Sequence, residues 1–267
     1  MDTSFKNILV PVDGSHQSMV AFKSAVFFAK KYNSNLTAIH IEESSDEDGL
    51  KTKLDPYADG VKYHYLHKNG SVFKGILKAA EETDVSLIIM GSHGITGFQE
   101  FWMGSNAYKV VSSAKCPVLT MREDRSNDFK TIVLPVDSSF ESRQKVPIAL
   151  SLAKKFGATI HVLGVSVDKD KETEYQINAY TRQVMHSFDE ENIPYIFEKR
   201  LGGNITNLTQ EYALSVNANL ILIMTEQEPQ LGSFFLGKFA QQMVNHSPVP
   251  VMSITPREDL IISEAKL

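Results

Sequence analysis

The chain has little of what would tie it to a membrane, an oxidising compartment or a nucleic acid. It contains one cysteine, Cys116, in 267 residues, so no internal disulfide can form, which fits a reducing cytoplasm. No apolar run approaches the roughly 18 residues of a membrane-spanning helix, and the opening residues leave no room for a secretory leader. The net charge is -5, which does not favour binding to DNA or anionic membranes. We therefore expect a cytoplasmic protein that binds neither nucleic acid nor a membrane.

What the chain does contain is a second copy of itself. The segment Phe5–Asp13 reappears 124 positions later as Phe129–Asp137. Further along, Gly104 has its counterpart 133 positions later at Gly237, so the second copy carries about nine extra residues in its middle. A repeat of this length is a duplicated domain, because solenoid repeats span only about 20–50 residues. A polar linker follows the first copy.

Each copy alternates strand-like and helix-like segments, which predicts an α/β fold with a parallel sheet covered on both faces. We place the first domain at residues 1–124 and the second at residues 129–267. Residues 42–60, which are acidic and contain glycine and proline, indicate a loop or broken helix rather than a full crossover helix, whereas residues 168–190 are long enough for a full helix. The predicted first-domain strands are 7–12, 35–41, 61–66, 86–90 and 117–122, and its helices are 16–32, 72–83 and one from 105.

Three features of the first copy would meet at the carboxyl edge of its sheet, where open parallel sheets bind ligands. Gly91 and Gly94 follow the fourth strand and let the backbone approach a ligand closely. The segment Gly104–Asn106 begins a helix, whose free N–H groups and positive dipole end suit an anion. Asp13 ends the first strand and could hold a divalent cation beside a phosphate. A glycine pair after a strand is more often a simple turn, but the three features together predict a phosphate-bearing ligand.

The same residues resemble the universal stress protein family, in two copies over essentially the whole chain. Gly91, Gly94, Gly104 and Ser105 match the G-x2-G-x9-G-[S/T] pattern of its ATP-binding members. The resemblance implies two tandem Rossmann-like domains of the adenine nucleotide alpha hydrolase-like type, each a five-stranded parallel sheet with helices on both faces. It also implies ATP or a related adenine nucleotide as the ligand, and Asp13 as a hypothetical Mg²⁺ ligand.

The resemblance also implies a role for each part of the site. The backbone of Ile41 would contact the adenine, and Gly104–Asn106 would contact the phosphates. The stretch Gly91–Gly94 is assigned to ribose and phosphate, and Asp13 lies near all three parts of the nucleotide. No catalytic residue is assigned. The complete candidate nucleotide-binding set is Pro11, Val12, Asp13, Ile41, Met90, Gly91, Ser92, His93, Gly94, Gly104, Ser105 and Asn106.

The second copy departs from this pattern. Thr225 stands where the first glycine is expected, and the acidic residues Glu226 and Glu228 follow it. Gly237 is kept, but Lys238 comes after it, and the spacer is one residue shorter by this alignment. Acidic side chains repel phosphate, so we expect no ATP in the second domain, although its crevice could take a different ligand.

Two further groups of residues have ordinary structural interpretations. Cys116 precedes a proline at a strand start and is interpreted as a packing residue with no redox role. His40, His64 and His67 are interpreted as exposed or capped side chains rather than metal ligands, because no carboxylate or cysteine partner is evident at ligand spacing.

Three functions are compatible with these residues. The first is an ATP-binding regulatory or stress-response protein with one site per chain, and not an efficient enzyme, because no general base or arginine finger is evident. The second is an interaction module that acts through a pseudo-dimer. Domains of the family pair through the fifth strand, so the resemblance implies that residues 117–121 pair with residues 250–254, and we expect two chains then to form a homodimer. The third is a slow ATPase that depends on Asp13.

Overall fold

The computed structural model describes residues 3–42, 49–92, 104–121, 128–139, 141–225 and 236–256. Strands and helices alternate through these ranges. The strands are β1 (Asn7–Pro11), β2 (Asn35–Glu42), β3 (Tyr63–Asn69), β4 (Leu87–Gly91), β5 (Val118–Met121), β6 (Thr131–Val136), β7 (Thr159–Ser166), β8 (Tyr195–Leu201), β9 (Leu220–Met224) and β10 (Val251–Ile254). The helices are α1 (His16–Tyr32), α2 (Leu50–Leu54), α3 (Val72–Glu82), α4 (Ser105–Ser113), α5 (Val146–Phe156), α6 (Lys171–Glu190), α7 (Ile205–Ser215) and α8 (Lys238–His246), with short 3-10 helices at Asp55–Tyr57 and Glu141–Lys145.

The strands of the described residues join one sheet, in the order β3-β2-β1-β4-β5-β10-β9-β6-β7-β8. Within each half every pairing is parallel. The halves meet where β5 and β10 run antiparallel, with Leu119 opposite Met252. The predicted α/β fold, two tandem Rossmann-like units of five strands each, is confirmed. So is the predicted pairing of the two fifth strands within one chain.

Helix α1 follows directly from its sequence. Ser15 caps it, and its hydroxyl accepts the Ser18 N–H at 3.2 Å, which satisfies one of the free donors of the first turn. Asn33 ends it with φ 56, a left-handed conformation that asparagine tolerates. Alanine, valine and phenylalanine recur along the inner face, where Phe22 and Phe28 are fully buried. The predicted bounds of 16–32 are those observed.

Strand β3 begins two residues later and ends three residues later than the sequence predicts. Asp59 and Gly60 both have positive φ, and the Val61 N–H donates to the Ala58 carbonyl at 2.9 Å. The chain is therefore still turning at Val61, and the ladder with β2 starts at Tyr63. This shift matters below, because it brings His67 into the strand. The crossover in this domain contains only the short α2 and a 3-10 turn among its described residues, whereas the second domain has the full α6, as predicted.

The two domains share their hydrophobic cores. On one face of the sheet, α1 and α5 pack together through a cluster of aromatic rings. Phe28 lies at its centre, with ring centroids 5.3 Å from Phe129 and 5.2 Å from Phe156 in the second domain. On the other face, the core between α4 and α8 is also continuous. The halves therefore form one packed body. No described helix is both long and apolar enough to span a bilayer.

Candidate functional site

The candidate site lies where the strand order of the first domain reverses. Successive strands run outward from β1 to β2 and β3, and the chain then returns to place β4 on the other side of β1. The carboxyl ends of β1 and β4 are therefore neighbours, with connections that leave to opposite sides. Such a switch point opens a crevice between the two loops. The loop after β1 carries Asp13, and the loop after β4 carries Gly91 and Ser92.

Asp13 shapes the turn from β1 into α1. Its Oδ1 accepts the Ser15 N–H at 3.0 Å, and its own N–H donates to the Ser18 hydroxyl at 3.3 Å. The second domain repeats both contacts, with Asp137 accepting the Ser139 N–H at 2.8 Å. Because both domains keep this arrangement, part of the role of Asp13 is to build the turn. Its role as a Mg²⁺ ligand stays a prediction.

Gly91 is glycine because α1 packs directly against it. A Cβ placed at this position would lie 2.9 Å from the carbonyl carbon and from the Cβ of Gln17. Contacts this short do not occur, and Gln17 belongs to the first turn of the helix and cannot simply rotate away. The absence of a side chain at Gly91 thus brings the start of α1 up to the end of β4. This packing role was not evident from the sequence, which suggested only close approach to a ligand.

Replacing Gly91 by alanine is therefore expected to destabilise the fold as well as weaken any ligand. The added methyl group must push α1 away from β4, and overpacking of this kind costs about 1–3 kcal/mol. Urea denaturation followed by circular dichroism measures the loss. Gly49→Ala is the matched control, because nothing lies within 4 Å of a Cβ at that position. Equal stabilities for the two variants would contradict the packing role.

The loop after β4 returns to the sheet before α4 begins. The Ser92 N–H donates to the Met121 carbonyl at 2.9 Å, and the Gly104 N–H donates to the Ser92 carbonyl at 2.8 Å. These two bonds fix the start of α4 beside the end of β4. Gly104 is the N-cap residue and, having no side chain, provides no side-chain cap. Ser105 and Asn106 are exposed in the first turn, where the N–H groups have no partner within the helix and the helix dipole has its positive end.

The remaining candidate residues line the sheet edge. Val12, Ile41 and Met90 are buried, and the Val12 N–H donates to the Ile39 carbonyl at 2.9 Å. The Ile41 side chain packs against Gly75 of α3, where a Cβ would lie 2.6 Å from its Cδ1. Pro11 ends β1 and is half-buried. The candidate residues His93 and Gly94 lie outside the described residues.

The strand register corrects the alignment of the two loops. In the first domain Gly91 pairs with Met121, and in the second Met224 pairs with Ile254. The Thr225 N–H donates to the Ile254 carbonyl at 2.8 Å, as Ser92 does to Met121. Thr225 therefore corresponds to Ser92, and the residue in the place of Gly91 is Met224. The sequence alignment was wrong by one residue, and the spacers to the following glycine are equally long.

The second domain has a methionine in the place of Gly91, and the segment that packs against this position also differs between the domains. Met224 is buried in the core, and the segment facing β9 is the 3-10 helix Glu141–Lys145 rather than the first turn of an α-helix. Helix α5 begins only at Val146. The second crevice is thus built differently from the first. Glu226 and Glu228 lie outside the described residues.

Cys116 behaves as the packing residue that the sequence predicts. It lies against the core formed by α3 and α4. Burial raises the pKa of its thiol to about 12, so the thiol stays protonated at neutral pH.

We expect the thiol of Cys116 to react slowly in the native chain. At pH 8 a pKa near 12 lowers the thiolate fraction on the order of 1,000-fold relative to an ordinary cysteine. The rate of reaction with a disulfide reagent, measured in native buffer and in denaturant, tests this. Similar rates under both conditions would show that the thiol is not buried.

The structure contradicts the premise that the histidines have no carboxylate partner. His40 and His67 lie side by side on β2 and β3, and both approach one carboxylate, that of Glu42. The sequence argument found no such partner because Glu42 follows His40 by only two residues, and because His67 was placed beyond the end of β3. His64 is exposed.

Comparison with known proteins agrees with this architecture. The family model described as "Universal stress protein family" matches residues 4–59, 42–122 and 128–254.

The chain belongs to the universal stress protein family.

Two curated members of the universal stress protein family match about half of the chain each. The universal stress protein YxiE of Bacillus subtilis is 33% identical in an alignment of length 147 that covers 44% of this chain and 99% of that protein. The universal stress protein MJ0531 of Methanocaldococcus jannaschii is 30% identical in an alignment of length 143 that covers 45% of this chain and 84% of that protein. A match of this length is one domain of the tandem pair.

A solved structure matches both domains together. The crystal structure of a universal stress protein from Archaeoglobus fulgidus superposes with a TM-score of 0.78, at 21% identity, and covers 96% of this chain and 99% of that one. At this identity the likeness shows the fold alone. It establishes that the tandem arrangement is shared with another universal stress protein.

Proposed function

We propose that the first domain, residues 1–124, binds one adenine nucleotide, ATP or a close relative, and that the chain is a regulatory or stress-response protein rather than an efficient enzyme. The observation that carries this proposal is the position of the α4 N-terminus. The bond from the Gly104 N–H to the Ser92 carbonyl holds it at the switch point between β1 and β4. The glycine spacing of the family's ATP-binding members ends at this same turn.

The phosphates are assigned to the first turn of α4. The exposed N–H groups there have no side-chain cap in Gly104, and Ser105 and Asn106 add short polar side chains. Backbone donors and a positive helix end together favour a phosphate. In α1, by contrast, the Ser15 hydroxyl already accepts the Ser18 N–H. We therefore assign α4, not α1, as the main anion site, with Asp13 as the candidate Mg²⁺ ligand beside it.

The adenine is assigned to the ends of β1 and β2. Val12 and Ile41 are buried there, and the Ile41 side chain is already occupied by its contact with Gly75. That leaves the backbone groups at the end of β2 to recognise the base, as the family resemblance implies. Pro11 and Met90 complete this apolar edge, next to the loop residues Gly91 to Gly94.

Binding rather than turnover is proposed because of the kinds of group involved. Backbone N–H groups, a serine hydroxyl and an asparagine amide hold phosphate charge, but none of them is a general base or an arginine finger. The second domain, residues 129–267, is proposed to bind no nucleotide, since Met224 replaces Gly91 and Lys238 replaces Ser105. We further propose that the chain acts in the cytoplasm as a homodimer.

Mass spectrometry of the small molecules that co-purify with the native full-length chain tests the proposal. We expect ATP, or another adenine nucleotide, in amounts close to one per chain. A Gly104→Val variant, in which side-chain bulk covers the first turn of α4, should carry none. A purified chain that retains no adenine nucleotide, and binds none when it is added, would overturn the proposal.

A further inference from the structure

Three side chains of the first domain converge near the carboxyl ends of β2 and β3, apart from the residues assigned to the nucleotide. His40 and His67 occupy directly paired positions on the two strands, and their rings are stacked with centroids 5.3 Å apart. Glu42 lies on the same face of β2. Its Oε1 is 3.1 Å from His40 Nδ1 and 3.3 Å from His67 Nε2. All three ligand atoms lie within 4.8 Å of one another.

We infer that His40, Glu42 and His67 form a binding site for a borderline transition-metal dication, with Zn²⁺ as its representative. The spacing carries the argument. Ligand atoms about 2.0–2.1 Å from a tetrahedral zinc ion lie about 3.3 Å apart, and the two measured His–Glu separations are 3.1 and 3.3 Å. Two of the three ligand–ligand separations therefore match the edge of such a tetrahedron, and the third, between His40 and His67, is at most 4.8 Å.

The donor set selects the kind of metal. Two imidazole nitrogens and one carboxylate oxygen suit Zn²⁺ and its neighbours Co²⁺, Ni²⁺ and Cu²⁺. Mg²⁺ and Ca²⁺ require mainly oxygen ligands and are disfavoured here. The His40 and Glu42 side chains are 12% and 26% exposed. His67 is the most exposed of the three residues, with a side-chain exposure of 28%. Solvent can therefore reach the site from the side of His67.

The second domain provides an internal comparison. The positions equivalent to His40, Glu42 and His67 are Gly164, Ser166 and Lys199, by the register of β7 with β8. Lys199 forms an ion pair with Glu174 of α6, and its Nζ is 3.3 Å from the Asn178 side-chain oxygen. In the second domain, the long helix α6 thus packs over the positions that are equivalent to the two histidines and Glu42.

A metal here would serve the stability of the sheet edge. Strand β3 is the outermost strand of the first domain, and the described residues of the crossover before it (49–62) contain no long helix like α6. A metal that joins His67 on β3 to His40 and Glu42 on β2 would cross-link the two strands. A metal that binds only the folded chain also raises the free energy of unfolding. The inference uses none of the groups assigned to phosphate.

The test is titration of the metal-free, tag-free full-length chain with Zn²⁺ by calorimetry, and with Co²⁺ by visible absorption. We expect one Zn²⁺ per chain at this site, a tetrahedral-type Co²⁺ spectrum, and a rise in melting temperature. His67→Gln should weaken Zn²⁺ binding at least about 100-fold, more than the ~10–100-fold typical for loss of a supporting contact. It should also abolish the thermal shift.

Four further variants sharpen the result. Glu42→Gln keeps the size of the side chain but removes its charge, and it should also lose Zn²⁺ binding. This variant keeps the test valid if His67→Gln folds poorly. His64→Gln, on the same strand, and His186→Gln, beside Glu190 on α6, should bind Zn²⁺ like the original chain. A variant that loses nucleotide binding, such as Ser105→Glu, should keep the metal. No Zn²⁺ bound, or binding unchanged in both His67→Gln and Glu42→Gln, would overturn the inference.

Discussion

Replacing Ser105 by glutamate is expected to weaken ATP binding on the order of 100-fold without destabilising the fold. The affinity falls because charge-assisted hydrogen bonds to the phosphates, worth about 1.5–3 kcal/mol each, are lost. Ser105 is exposed in the first turn of α4, beside the donors assigned to the phosphates. A carboxylate there repels the phosphates and competes for the same N–H groups. A negative charge in the first turn is nevertheless favourable to the helix itself, by about 0.3–1 kcal/mol at the surface. Calorimetric titration and a thermal melt separate the two effects.

The second domain supplies the matched control. Lys238 begins α8 as Ser105 begins α4, each directly after an uncapped glycine. Lys238→Glu places the same charge at the equivalent position and should leave ATP binding unchanged. If Lys238→Glu weakened ATP binding as much as Ser105→Glu, the nucleotide would not be confined to the first domain. Full binding by Ser105→Glu would contradict the assignment of α4.

Replacing Phe28 by alanine is expected to destabilise both domains together, by about 3–5 kcal/mol. Phe28 is fully buried. Its ring packs against Phe5 and Tyr32 in the first domain and against Phe129 and Phe156 in the second. The cavity left by its removal would therefore open into the core of each half. Urea denaturation measures the loss of stability, and amide hydrogen exchange should show reduced protection in β6 as well as in β1.

Phe197→Ala is the control for this change. Phe197 lies on β8 at the opposite edge of the sheet and is 38% exposed, so its removal should cost far less. Reduced protection confined to the first domain in Phe28→Ala would contradict the shared core. The prediction matters for function because α1, which carries Phe28, also forms one wall of the candidate site through its contact with Gly91.

Local sequence signals were sufficient where the structure depends on near neighbours. The capping serine and the regular apolar spacing of α1 predicted its bounds of 16–32, and the glycine and proline between residues 42 and 60 predicted a short crossover. The duplication predicted the tandem fold. Each of these follows from hydrophobic periodicity, turn residues or repetition, which can be read without knowing which segments meet. The pairing of β5 with β10 was predicted only through the family resemblance.

Sequence reasoning failed where the answer depends on register between distant segments. The second loop was aligned one residue out, because Met90 and Met224 look equivalent in sequence, whereas strand pairing equates Met224 with Gly91. The reason for Gly91 itself lies in a helix more than 70 residues earlier in the chain. Likewise, the contact of His67 with Glu42 arises only because β3 pairs with β2 in one register.

The central claim is that one nucleotide binds per chain, at the first domain. Calorimetric titration of ATP with Mg²⁺ into the full-length, nucleotide-free chain tests it most directly, because the stoichiometry is obtained without assuming where the ligand lies. The account predicts one site per chain, with unchanged affinity in Lys238→Glu and affinity weakened on the order of 100-fold in Ser105→Glu. Two equivalent sites, or no binding at all, would contradict it.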